Sequence, residues 1–310
     1  MMEKRRVSKT VITCFLTLLA LAVFNQALAQ DIGLKKKAIV GTFEDKSDHH
    51  WYHGNDPGEG MADMLITALV KSGKFRVYER MALDELLTEK NLSLSDLANP
   101  GTEAAKKLEI GDVLVKATIT EFGYKEETLG GTAKKVLGKS IGGGVTTYTA
   151  RVGVDLRIVS VGTSEILLAE DVAETEDSKS LGVSTEDFSF NDEKSFDEHV
   201  VGKATRKVIN RIVELVSKQT DNMPWTGVLI VADDLMFIDA GTEIGIKSGM
   251  EFDVKRQSKI VTHPKTGKVL KIVYDDIGRI KATEVEEGVT TVVPVSGSGF
   301  VNEDIVEFKN

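Results

Sequence analysis

The sequence predicts an α/β (α+β) sandwich with β-hairpin excursions, followed by a small all-β, barrel-like domain. Three observations carry that expectation. Between residues 35 and 122, short β-type runs alternate with segments whose apolar residues recur at helical spacing. Asp221-Asn222-Met223-Pro224 gathers turn formers and a proline just past a helical pattern, which marks a domain boundary. Beyond it, short strands are punctuated by Gly241, Gly245, Gly249, Gly267, Gly278, Gly288 and Gly297, the spacing of a small barrel or sandwich. The expected divisions are a leader over 1–29, an α/β domain over 30–222 and a β-domain over 223–310.

The chain opens with Lys4, Arg5 and Arg6 ahead of an apolar run over 11–24, which ends at Ala27-Leu28-Ala29. A basic head, an apolar core of that length and an A-x-A end make a secretory signal peptide, cut after Ala29. The run is shorter than the ~20 residues a membrane-spanning helix needs. Cys14 is the one cysteine of the chain and lies inside this leader. The exported protein is therefore expected to have no thiol, disulfide or thiolate metal site, and no cysteine at the cleavage point to accept lipid. A formal net charge of −9 over 310 residues argues against nucleic acid as a partner and against adhesion to anionic lipid.

In the α/β domain, Lys37-Ala38-Ile39-Val40-Gly41-Thr42-Phe43 is a β-type run that stops at the polar cluster Glu44-Asp45-Lys46-Ser47-Asp48. From Gly60 the period changes. Met61, Met64, Leu65, Ala68 and Leu69 fall on one face of a helix, closed by Ser72-Gly73. Phe75-Arg76-Val77-Tyr78 alternates as a strand. Leu83, Leu86 and Leu87 mark a second helix, and residues 102–108 a third, opened by a capping threonine. A β-rich run over 113–119 leaves the buried sheet at Glu121-Phe122. Residues 152–159 and 165–169 read as two further strands about a Gly162-Thr163 turn. Ala204, Val208, Ile212, Val213 and Val216 mark a last helix, with Lys203, Arg206, Lys207 and Arg211 outward.

The series KAIVGTFEDKS, GEGMADMLITALVKSGKFRVYERMALDELLTEKNL, AAKKLEIGDVLVKATITEF and VGVDLRIVSVGTSEILLAEDV resembles the curli secretion-channel (CsgG-like) family, over residues 35–218. The resemblance implies a periplasmic α/β domain. Family members with the complete pattern add two β-hairpins per subunit, which close into a ring-shaped outer-membrane barrel that exports unfolded protein. Segments 125–150 and 174–198 stand where those hairpins belong. The first offers Val136, Leu137, Ile141, Val145 and Tyr148 among lysines and glycines, an inserted β-excursion or loop. The second is crowded with acids, and Val183, Phe188, Phe190 and Phe196 are too few to build an apolar band. In the last domain, Ile238-Asp239-Ala240-Gly241 with residues 245–252, Thr266-Gly267 and Gly278-Arg279-Ile280 resembles the C-terminal barrel of flagellar assembly protein T. That resemblance implies a binding or assembly module.

Candidate sites are few. Residues 48–56 gather His49, His50 and His53 with Trp51 and Tyr52. Adjacent histidines on one loop seldom converge on one ion, so the loop reads as an interaction surface for a neighbouring subunit or partner. Residues 133–140 fit a relaxed phosphate-loop spelling. The flanks are glycine-rich rather than strand and helix, so no nucleotide site is assigned. Asp233-Asp234 and Asp275-Asp276 read as solvated acidic pairs at turns. No catalytic triad order, zinc helix or cofactor motif is present, so no enzyme activity, cofactor or metal is expected. Two functions compete. One is a curli-channel-like envelope component that self-associates to assist protein secretion or surface-structure assembly, with possible outer-membrane association. The other is a soluble periplasmic accessory module for an envelope machine such as the flagellum or the cell-wall synthases.

Overall fold

The computed structural model describes residues 33–47, 56–79, 112–129, 134–136, 139–141, 145–161, 165–179, 193–262, 264–265 and 269–309. The helices expected at Leu83–Leu87 and 102–108 lie outside them.

The first strand, β1 (Lys36–Asp45), buries Ala38, Val40 and Phe43 on one side. Helix α1 (Pro57–Lys71) follows. Its start has a cap that the apolar period does not reveal: the Asp56 carboxylate accepts from Gly58 N at 2.8 Å, and Pro57 takes the first helical position. Met61, Leu65 and Leu69 are buried, as the helical spacing predicts. Ser72 caps the end and Gly73 turns the chain at φ 72°, a left-handed conformation that costs glycine nothing. Strand β2 (Phe75–Glu79) then pairs parallel to β1.

Strand β3 (Val113–Leu129) pairs parallel to the other side of β1 and antiparallel to β6 (Val145–Ser160). It does not end at Glu121-Phe122. The register shifts between Ile119 and Glu121, so the inward side changes phase: Val113, Val115, Ala117 and Ile119 are buried before the bulge, Phe122 after it. The two strands then stay paired out to Leu129 and Val145. Beyond them, β4 (Lys134–Val136) and β5 (Lys139–Ile141) form a small antiparallel hairpin. Within the phosphate-loop spelling, Lys134–Val136 and Lys139–Ser140 therefore lie on ladder strands, and Lys139 and Ser140 start no helix. Strand β7 (Ile166–Ser178) pairs with β6 and completes a sheet of order β2-β1-β3-β6-β7.

Within 174–198, residues up to Ser178 continue β7, and Glu193–Glu198 form a short helix, α2. Phe196, counted above among side chains available to lipid, is 2% exposed and packs inside the protein. Val183, Phe188 and Phe190 lie outside the described residues. Helix α3 (Val200–Thr220) buries Ala204, Val208, Ile212 and Val216, packs on β6, β7 and α1, and leaves Lys203, Lys207 and Arg211 exposed.

The C-terminal part is a six-stranded antiparallel sheet: β8 (Trp225–Ala232), β9 (Leu235–Ile238), β10 (Glu251–Thr262), β11 (Val269–Val285), β12 (Thr290–Gly297) and β13 (Ile305–Phe308). The ladder runs β10-β11-β12-β9-β8-β13, and β13 pairs back onto β10. Strands β9 and β13, four residues each, are too short to show an alternation in the sequence. Asp275 and Asp276 are not at a turn: they sit within β11 opposite Arg256 and Lys255. Asp233, by contrast, does lie in the tight β8–β9 connection, at φ 52°.

The molecule is thus mixed α+β and mostly sheet. It has two hydrophobic cores, one under the five-stranded sheet and one inside the six-stranded sheet, within a single compact unit over Leu34–Asn310.

Candidate assembly surface

Both ends of the five-stranded sheet are edges among the described residues. β7, thirteen residues long, pairs with β6 on one side only. Such an edge presents a row of unpaired N–H and C=O groups, a template for another strand. β7 is strongly acidic: Glu170, Asp171, Glu174, Glu176 and Asp177 lie on it without a single Lys or Arg. Two of these acids are held from behind by α3, in the pairs Lys207–Glu176 (2.6 Å) and Arg211–Glu170 (3.9 Å). Glu176 draws the exposed Lys207 ammonium upward in pKa by accepting its hydrogen bond.

Next to this edge, the sheet bears a groove of about 680 Å³ lined by Thr120, Glu121, Lys125, Thr149, Arg151 and Thr175. Thr120 and Glu121, both exposed, line it at the β3 bulge. Arg151 pairs with Glu121 on its floor, and the Thr149 hydroxyl donates to Asp177 at 2.7 Å. Phe122 and Tyr124 line it as well, so its surface mixes charged and hydroxyl groups with aromatic ones.

A second crevice, of about 270 Å³, lies where β1 ends and α1 begins. Phe43, Gly58, Ala62 and Ile66 line it, and Asp56, Glu59 and Asp63 rim it. Gly58 is required here, because a Cβ would run into the Phe43 carbonyl oxygen. Three carboxylates at a helix N-terminus do not suit an anionic ligand. The sequence between Ser47 and Asp56 carries the predicted interaction loop. His49, His50, Trp51, Tyr52 and His53 on that loop lie outside the described residues, as do Ala27 and Ala29.

The groups whose pKa is displaced do not gather into one site. Burial lowers Lys36 against the opposing pull of Asp112 and Asp221, and burial raises Asp112 against the hydrogen bond from Lys37 N. Lys36 Nζ donates to the Met223 carbonyl at 2.5 Å, so this pair holds the two parts of the molecule together. Burial, helped by Lys203, lowers His199, which caps α3. For Glu243 burial pushes upward and is outweighed by the N–H groups of Gly288, its own residue and Gly241, and by Arg76, so that its carboxyl lies low. No cluster of three or more His, Cys, Asp or Glu suited to a metal occurs among the described residues, and none of their helices is long and apolar enough to cross a membrane.

The described residues thus form a sheet-rich α+β fold that offers two sheet edges and a groove beside one of them. The family model described as "Curli production assembly/transport component CsgG" matches residues 20–250, and the chain belongs to that family. The match runs past the boundary that the sequence suggests at Asp221–Pro224, through β8 and β9, and stops before β10. No curated protein sequence matches the chain. Similar solved structures include the hypothetical protein CT253 from Chlamydia trachomatis (15% identity, TM-score 0.38, covering 60% of this chain and 96% of that one). Lipoprotein GNA1162 from Neisseria meningitidis is 14% identical with TM-score 0.29, covering 58% and 99%. The PelC dodecamer from Paraburkholderia phytofirmans is 13% identical with TM-score 0.26, covering 56% and 85%. Membership of an assembly and transport family fits a component of the cell envelope.

Proposed function

We propose that this chain is a non-enzymatic periplasmic component of the cell envelope that acts by self-association, assisting protein secretion or the assembly of a surface structure. The observation that carries the reading is the family match over residues 20–250 of 310. The single-sided pairing of β7 supports it, since an edge of thirteen residues has enough unpaired backbone to bind a neighbouring subunit. The groove at Thr120–Glu121 lies beside that edge and would be covered with it. The leader ending at Ala27-Leu28-Ala29 would bring the chain to this compartment, without lipid.

The acidity of β7 favours a second reading, a soluble accessory module that binds one partner of an envelope machine. Five carboxylates on one edge repel a second copy of the same edge, a device by which proteins keep sheet edges from pairing. Light scattering across a concentration series, without detergent, separates the two. A mass that is a fixed multiple of the chain, and that falls when Thr175 and Ala173 are both replaced by lysine, is the outcome expected for self-association through this edge. A monomer at every concentration overturns it and leaves the accessory module.

A further inference from the structure

Beyond this reading, and outside the family-matched residues, the β10–β11 hairpin carries a surface of its own. β13 pairs with β10 only at Asp253–Lys255, and the β11–β12 ladder begins at Gly278. β10 and β11 nevertheless stay paired out to Thr262 and Val269. From Arg256 onward they therefore form a two-stranded ribbon that leaves the six-stranded sheet, with no third strand beside it among the described residues. A ribbon of this kind is marginally stable in water alone and has no core of its own to fill.

Its side chains are arranged in two faces. Ile260 stands directly opposite Ile272, and Tyr274 lies two residues further along β11 on the same side. All three are exposed, by 47%, 36% and 41%. The other side alternates charge with aliphatic residues, with Lys259 opposite Val273 and Val261 opposite Lys271. Residues 257–274 contain four lysines and no Asp or Glu, in a chain of net charge −9. Asp275 and Asp276 stand at the root of the ribbon, opposite Arg256 and Lys255. The overall charge, which argues against anionic surfaces, is thus reversed locally.

We propose that this ribbon docks on an anionic lipid surface, laying Ile260, Ile272 and Tyr274 into the interface while the lysines engage the headgroups. An apolar face backed by a lysine-bearing face is the pattern of interfacial elements, with the ammonium groups reaching the headgroups over flexible stems. Tyrosine suits the headgroup level, having an apolar ring and a polar tip. A nucleic-acid backbone would use the lysines and leave the isoleucines in water. Each lysine near an anionic surface contributes about fivefold in affinity, and salt screens that part.

The test is co-sedimentation of the full protein with phosphatidylcholine vesicles made with and without phosphatidylglycerol, at low and high salt. Wild type should sediment only with the phosphatidylglycerol vesicles, and less at high salt. Lys259→Gln with Lys271→Gln should bind about 25-fold more weakly. Ile260→Ser with Ile272→Ser should also weaken binding, now with little effect on its salt dependence. These positions are exposed on the ribbon, so circular dichroism of the variants should match wild type. Equal binding to both vesicle types, no sedimentation, or lysine variants that bind like wild type would overturn the proposal. So would a change of mass in vesicle-free solution on removing the lysines, which would assign the ribbon to a protein surface such as the acidic β7 of a second copy.

Discussion

At the scale of single residues, two buried polar groups, Lys36 and His199, are tied to the backbone at the ends of elements. His199 is 3% exposed, meets the Tyr124 ring edge-on at 5.8 Å, and accepts from Val201 N at 3.2 Å through Nδ1 to cap α3. Acceptance requires a neutral nitrogen, and protonation would set a donor against a donor. Burial, with Lys203 adding repulsion, holds its pKa below the ordinary 6.5. The unfolded chain then takes up the proton more readily than the folded one, so acid favours unfolding. The stability contributed by the neutral ring is complete above 6.5 and is lost as pH falls from there towards the lower folded value. His199→Asn keeps an acceptor at a position where Asn caps well, and it cannot titrate. Urea unfolding at about pH 7.5 and about pH 5 should show a smaller loss of stability on acidification for the variant than for wild type. Parallel losses in the two proteins would show that the cap does not titrate in this range.

Among the elements, α2 and α3 meet through a glycine. A Cβ on Gly202 would run into the carbonyl oxygen of Phe196, so the last turn of α2 lies directly on the first turn of α3. Alanine there would gain about 1 kcal/mol of helix propensity. Overpacking against backbone costs about 1–3 kcal/mol and cannot be relieved by a rotamer change. Gly202→Ala should therefore lower the urea midpoint, with Phe196 becoming more exposed. A midpoint equal to wild type or higher would mean that α2 yields freely. Legibility in the sequence follows a similar division. β1, α1 and α3 were readable because each buries one regular stripe, such as Met61, Leu65 and Leu69. The far half of β3 was not, because the bulge after Ile119 changes the phase of its alternation and imitates a strand end. The Asp56 cap was hidden in Pro57-Gly58, which reads as loop chemistry as readily as a helix start. The β7 edge appeared only as two separate things, a short strand and an acidic excursion, since pairing on one side is a property of the sheet. The buried role of Lys36 depends on Met223, 187 residues away, and no local pattern encodes such a contact.

Across the whole molecule, three consecutive residues join the two cores. Leu34, 2% exposed, belongs to the core of the six-stranded sheet. Lys35 N donates to the Ile244 carbonyl at 2.9 Å, also in the C-terminal part. Lys36 opens β1 in the five-stranded sheet and reaches the Met223 carbonyl just before β8. The chain thus enters through the C-terminal core before it begins the N-terminal sheet. Unfolding the six-stranded sheet would uncover Leu34 and free the strand beside it, which couples the N-terminal sheet to that core. Scanning calorimetry of wild type should accordingly give one cooperative transition. Leu34→Ala removes a buried side chain at the junction and should cost about 2–5 kcal/mol. Its effect should reach beyond that loss: with the anchor gone, the two cores should melt separately, and the single peak should divide. Two well-separated transitions already present in wild type would show that the junction does not couple the cores. A single transition lowered but undivided in the variant would assign the coupling instead to Lys36 and the Met223 carbonyl, which Lys36→Met would then break.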